Sequence, residues 1–200
     1  MTNETSLVTL QSQLTDRIWN CIPVTEQAFY KLLGLLEIRC STRIPTACVT
    51  MGSRSSLLVN PEFVTQHCRT DPQLSMLVMH ELFHVLLGHT KLYDRITPAQ
   101  NWAFDAVINA HLCLLFPEST CTSLFRNLYS PTVFPEALLR PPEGWNTPEV
   151  KWVLQGEAGS VHQALYTESS ATYEELHALL RESLGDQDAE GAGGEESRGG

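Results

Sequence analysis

Apolar and polar residues follow two different periods along this chain, and the change of period marks out its elements. Residues 7–19 place apolar side chains at helical spacing, and Thr25 stands where it can cap a second helix running to about residue 37. Residues 43–50, with Ile44, Thr46, Val49 and Thr50 β-branched, predict a strand. Met51-Gly52-Ser53-Arg54 predicts a turn and 55–60 a second strand, ended by Asn60-Pro61, with a short helical turn over 61–66. Asp71 followed by Pro72 is a helix-start signal, and Gly88 a stop, which predicts a helix over 71–87. Thr97-Pro98 repeats the start signal for a helix to about residue 116, barred from continuing by Pro117. Residues 117–147, rich in Pro, Ser and Thr, read as an irregular surface wrap, and a short helix is expected at 148–155. Thr172 and Glu175 have capping-box spacing at the head of a last helix over 173–184. These elements give an α+β fold, mostly helical, with a small β-hairpin or sheet. One domain is expected over residues 1–184. Residues 185–200, reduced to Gly, acids and a little else, are expected to form a disordered acidic tail or linker.

The most apolar of these elements is also the one that carries chemistry. Residues 74–87 are apolar nearly all round, as in a buried helix, yet they contain His80, Glu81 and His84 in the pattern H-E-x-x-H. On a helix, residues four apart lie within about 40° of each other, and Glu81 lies within about 60° of His84. All three therefore share one face. Two imidazoles so placed can reach one Zn²⁺, with the carboxylate beside them. Burying a carboxylate and two imidazoles costs several kcal/mol unless something satisfies them, and a divalent cation does so directly. The competing reading keeps both histidines as hydrogen-bonded core residues with Glu81 at a surface edge.

A zinc site that leaves one position open needs a third protein ligand. His89 follows closely but lies about 140° around the helix from His84 and beyond Gly88. His111 and Glu118 are further candidates with poorer placement. Asp105 is better: with Asn101 and Asn109 it forms the single polar stripe of an otherwise apolar helix. If that helix packs antiparallel on the first, Asp105 meets His80 and His84; otherwise it is a hydrogen-bonded structural carboxylate.

Charge and cysteine content narrow the partners and the compartment. Lys plus Arg number 13 against 23 Asp plus Glu, a net charge of −10, which argues against nucleic acid as a partner, because phosphate binding needs a basic surface. The first residues lack a signal-peptide pattern, and no apolar run reaches the roughly 20 residues that span a bilayer. The six cysteines are scattered without a Cys-x-x-Cys pair, so buried thiols in a cytoplasmic protein are expected.

Three segments together resemble the putative metallopeptidase domain family of predicted metal-dependent peptidases. They are Asn60-Pro61-Glu62-Phe63, then His80-Glu81-Leu82-Phe83-His84 with Leu87-Gly88-His89, then Trp102-Ala103-Phe104-Asp105-Ala106-Val107-Ile108-Asn109. Ala171-Thr172-Tyr173-Glu174-Glu175-Leu176 is a weaker echo. The resemblance implies a zincin-like fold, one Zn²⁺ held by His80, His84 and Asp105, and Glu81 as the catalytic carboxylate. The family's usual companion, a von Willebrand factor A-like domain with a D-x-S-x-S motif, is not within these 200 residues. As partners the resemblance implies a peptide or protein substrate and a separate domain of that kind or an ATPase.

The function expected on these grounds is zinc-dependent peptide hydrolysis, with Glu81 taking the attacking water's proton and passing it to the leaving amine. Asn109 is a candidate to orient a ligand, and His89, Tyr93 and His111 are candidate oxyanion donors. The strand at 55–60 is a candidate edge for an extended substrate. The alternatives are a zinc-stabilised interaction module with little turnover, in a larger assembly, and a metal-free helical adaptor.

Overall fold

A computed structural model describes residues 2–52, 54–89, 96–167 and 171–184, with side chains between 9 and 183. Among the described residues the chain is a mostly helical α+β protein with eight α-helices and one three-stranded mixed sheet. In chain order these are α1 (Thr2–Cys21), α2 (Gln27–Leu33), β1 (Glu37–Cys40), β2 (Ala47–Thr50), β3 (Ser56–Val59), α3 (Pro61–His67) and α4 (Asp71–Leu86). They continue with α5 (Pro98–Leu115), α6 (Ser119–Leu128), α7 (Gly156–Thr167) and α8 (Tyr173–Leu184). No helix among the described residues is long and apolar enough to cross a membrane.

α4 is the axis of the core. Thr70 caps it: its hydroxyl accepts from the Gln73 N–H while the Gln73 side chain accepts from the Thr70 N–H, one residue earlier than the Asp71 start predicted. Leu74, Met76, Leu77, Val78, Met79 and Leu82 are buried all round the helix, each stabilising the fold by roughly 1.5–3 kcal/mol. Gly88, at φ 74°, ends it in the left-handed conformation that a glycine adopts without strain. The same capping box, Thr97 with Gln100, starts α5.

Four expectations are corrected. The second helix stops at Leu33, and Glu37–Cys40 forms a strand instead, paired in parallel with β3. The first predicted strand shortens to Ala47–Thr50 because Ile44 and Pro45 turn their carbonyls to the Asn60 side chain. Within the supposed irregular wrap, Ser119–Leu128 is a helix: Thr122, Leu124 and Phe125 bury a face against α4, and this packing overrides the weak helix propensity of the Ser/Thr run. Residues 148–155 are not helical; Lys151 bridges Glu143, and the helix begins only at Gly156. All six cysteines are free thiols. The expected tail, 185–200, lies outside the described residues.

The strand order is β1-β3-β2, with β2 antiparallel to β3. β3, the 55–60 strand expected to offer an edge, is thus central and paired on both sides. Of the two edge strands, β1 lies against α1 and β2 packs on α4.

Candidate metal centre

α4 and α5 run antiparallel, as the ladder of contacts from His80 to Asn109, His84 to Asp105 and His89 to Phe104 shows. The four-residue steps of both helices therefore meet. His80 Nε2 lies 3.1 Å from His84 Nε2, and Asp105 Oδ1 lies 3.5 Å from the first and 3.2 Å from the second. Each of the three side chains is less than a fifth exposed.

Hydrogen bonds behind the triangle fix its chemistry. Asn109, fully buried, donates from Nδ2 to the Leu139 carbonyl at 3.0 Å, so its Oδ1 is what faces His80 Nδ1 at 2.8 Å. A carbonyl oxygen only accepts, so His80 Nδ1 carries a hydrogen. A neutral His80 then points a bare lone pair from Nε2 into the triangle. His84 Nδ1 lies 3.0 Å from His89 Nδ1, and one of the two carries the shared hydrogen. When His84 donates it, its Nε2 is bare as well. Asp105 Oδ2 accepts from Asn101 Nδ2 at 3.1 Å, while Oδ1 is buried without a hydrogen-bond partner. In that tautomer three acceptor atoms converge, and their mutual repulsion is relieved only by protons or by one cation.

The ionisation equilibria follow from the same contacts. Burial alone pushes His80 down, but the Asp105 carboxylate, with Glu81 and the Asn109 oxygen, outweighs it and raises the imidazole pKa. At His84 burial prevails over Asp105 and the pKa is lowered. His89, buried and next to His84, falls to about 4 and stays neutral. Burial acts to raise Asp105, yet the two imidazoles hold it well below the usual carboxylate range. Glu81 is driven up to about 7, chiefly by burial, with Asp105 adding and His80 opposing.

A metal fits this donor set. Ligand atoms around a tetrahedral zinc with bonds of roughly 2.0–2.1 Å stand about 3.3–3.4 Å apart, and the three observed separations bracket that value. The set of two imidazoles and one carboxylate leaves the fourth position open, as catalytic zinc sites do. His80, His84 and Asp105 form the three-residue group among the described residues that is able to hold a metal ion.

A cavity of about 270 Å³ opens over this group, and Glu81 lines it. Glu81 is buried rather than at a surface edge, contrary to the competing reading of the sequence. Of the other candidates, His89 backs His84 instead of joining the triangle, and stacks on Phe104 with ring centroids 3.6 Å apart. Phe104 in turn stacks on Tyr173 of α8 at 4.5 Å. His111 is exposed and lies edge-on to Phe83, and Glu118 sits at the exposed start of α6. Tyr93 lies outside the described residues. Tyr129, which the sequence reading missed, lines the cavity; burial and the Asp105 charge raise its pKa, against the Asn109 amide. Its signal was the helical spacing of Leu124, Phe125 and Leu128, which points α6 and its end toward α4.

No curated protein and no solved structure matches the chain. The family model described as "Putative metallopeptidase domain" matches residues 22–198, nearly the whole of the chain that builds the His80, His84 and Asp105 triangle, and the protein belongs to that family.

Proposed function

We propose that the protein is a zinc-dependent peptidase in which His80, His84 and Asp105 hold one Zn²⁺ and Glu81 is the general base. The observation that carries this reading is the convergence of one possible ligand atom from each of three partly buried side chains beside a fourth group, Glu81, in one cavity. When bound, the ion supplies Lewis acidity, polarising a carbonyl oxygen and making water acidic near neutral pH. Asn109 holds the His80 hydrogen on Nδ1 and so keeps Nε2 free to bind; His89 does the same for His84 when its own Nδ1 is the acceptor. Glu81, with a pKa near neutrality, is matched to accepting a proton from the attacking water and returning it to the leaving amine.

The second support is a strand edge at the cavity. Asn60 N–H donates to the Thr46 carbonyl at 2.7 Å, and the register pairs Ala47 with Val59. Ala47 and Val49 therefore occupy the positions whose own N–H and C=O point away from β3. Among the described residues no strand pairs with that side of β2, and both residues line the cavity. An extended peptide laid along β2 would find donors and acceptors two residues apart, leading past Glu81. The six free thiols favour a reducing compartment, the cytoplasm.

The test is Glu81→Gln in the zinc-loaded protein, assayed on a broad peptide library. Hydrolysis is expected to fall by about 10²–10⁴-fold with metal content unchanged. Equal hydrolysis by the variant overturns the role of Glu81, and hydrolysis that survives complete chelation overturns the metal.

A further inference from the structure

Resting on the peptidase reading, the shape and lining of the cavity go further and indicate which peptides it takes. Its floor is the α4 face that carries Leu77 one turn ahead of His80 and Glu81. One wall is the β2 edge. Another part of the lining is apolar: the partly exposed Phe63 of α3 and Leu128 of α6, backed by the buried Leu124 and Phe125. Among the described lining residues no Lys or Arg occurs, and the charged groups are the carboxylates and imidazoles of the metal centre itself.

The apolar wall begins next to the centre. The Phe125 ring centroid lies 6.5 Å from that of His80. An extended chain advances roughly 3.3 Å per residue and turns alternate side chains to opposite faces. A peptide whose scissile carbonyl stands at the metal centre therefore directs a side chain onto this wall from a residue flanking the cleaved bond. Acidic side chains there meet Glu81 and Asp105, and any charged side chain loses its hydration against Leu and Phe without a partner.

We propose that the apolar lining presented by Phe63 and Leu128, and backed by Leu77, Leu124 and Phe125, is the specificity pocket, and that it selects peptides carrying a large apolar side chain at one of the two residues flanking the scissile bond. Leu128 and Phe63 are partly exposed and so can be changed without opening the core. Removing one or more methylenes from a side chain in an apolar pocket costs about 10- to 200-fold in selectivity.

The experiment has two arms. In the first, the zinc-loaded full chain digests an unbiased peptide mixture, and the cut sites are read by mass spectrometry. Leu, Ile, Met or Phe at one flanking position is expected to exceed Ala by at least about 10-fold and Asp or Glu by more. Leu128→Asn and, independently, Phe63→Ser are expected to flatten that preference at the same position. Cleavage without apolar preference at either flanking position, or a preference untouched in both folded variants, overturns the pocket while leaving the peptidase reading standing. In the second arm, Glu81→Gln loaded with zinc binds capped, dye-labelled hexapeptides that differ only in a central Leu, Ala or Asp. A Leu preference of at least about 10-fold supports the pocket even if the wild type cuts nothing, an outcome that would sink the peptidase reading alone. Equal affinity for the three overturns the pocket.

Discussion

Asn109 offers the sharpest test of how the helix pair prepares its donor atoms. Replacing it by Leu keeps the branched shape, adds bulk that itself destabilises a packed site, and removes both an acceptor and a donor. The His80 Nδ1–H and the Leu139 carbonyl, each bonded to Asn109 within 3.0 Å, are left buried and unpaired. Each such group costs about 1–3 kcal/mol, so the chelator-treated variant should unfold at lower urea concentration. The hydrogen on the His80 ring is also no longer confined to Nδ1, and the loss of such a partner lowers metal affinity by about 10–100-fold. Asn109→Asp separates the two effects. Its carboxylate still accepts from His80, so zinc affinity should stay within a few-fold of wild type or tighten. Stability should nevertheless fall, because the Leu139 carbonyl loses its donor and an anion is buried. Competition titration against a chromophoric chelator measures the affinity, and urea unfolding measures the stability. If Asn109→Leu binds zinc as tightly as wild type, or if the two variants lose affinity equally, Asn109 does not set the tautomer of His80.

Two further outcomes follow from the same geometry. Asp105→Ala leaves two imidazoles without their third partner, and zinc affinity should fall by more than about 100-fold in the same titration; undiminished affinity removes Asp105 as a ligand. Glu81 has its pKa raised from 4.5 to about 7, so its contribution to the stability of the metal-free protein is complete below about pH 4.5 and is lost as pH rises through 7. The loss is about 3 kcal/mol at most, and Glu81→Gln should escape it. Urea unfolding in chelator from about pH 5 to 8 should therefore show wild type falling away from the variant, and parallel curves would contradict a buried, neutral Glu81.

The parts of the centre that the sequence revealed are those governed by helical repeat and local capping. Both helices carry a Thr with Gln three residues on and Pro inside the first turn, so their phases could be read, and with them the shared face of His80 and His84 and the stripe through Asp105. What escaped depends on contacts distant in the chain. β1 alternates Glu and Arg with Ile and Cys and becomes a strand only because β3 lies beside it, which in turn makes β3 central and moves the open edge to β2. α6 hides behind Ser and Thr until α4 covers its apolar face. His89 was set aside by extending the helical phase past Leu86. The positive φ of Gly88 breaks that phase and returns the ring to His84.

The stacked rings of His89, Phe104 and Tyr173 tie a candidate ligand's support to the last helix described, some ninety positions later in the chain than His84. During synthesis the two imidazoles and the aspartate emerge long before Tyr173 does. Until that ring arrives, the stack that begins at His89 and Phe104 lacks its third member. The order of synthesis therefore completes the bracing of His89, and through it of His84, only once α8 has emerged.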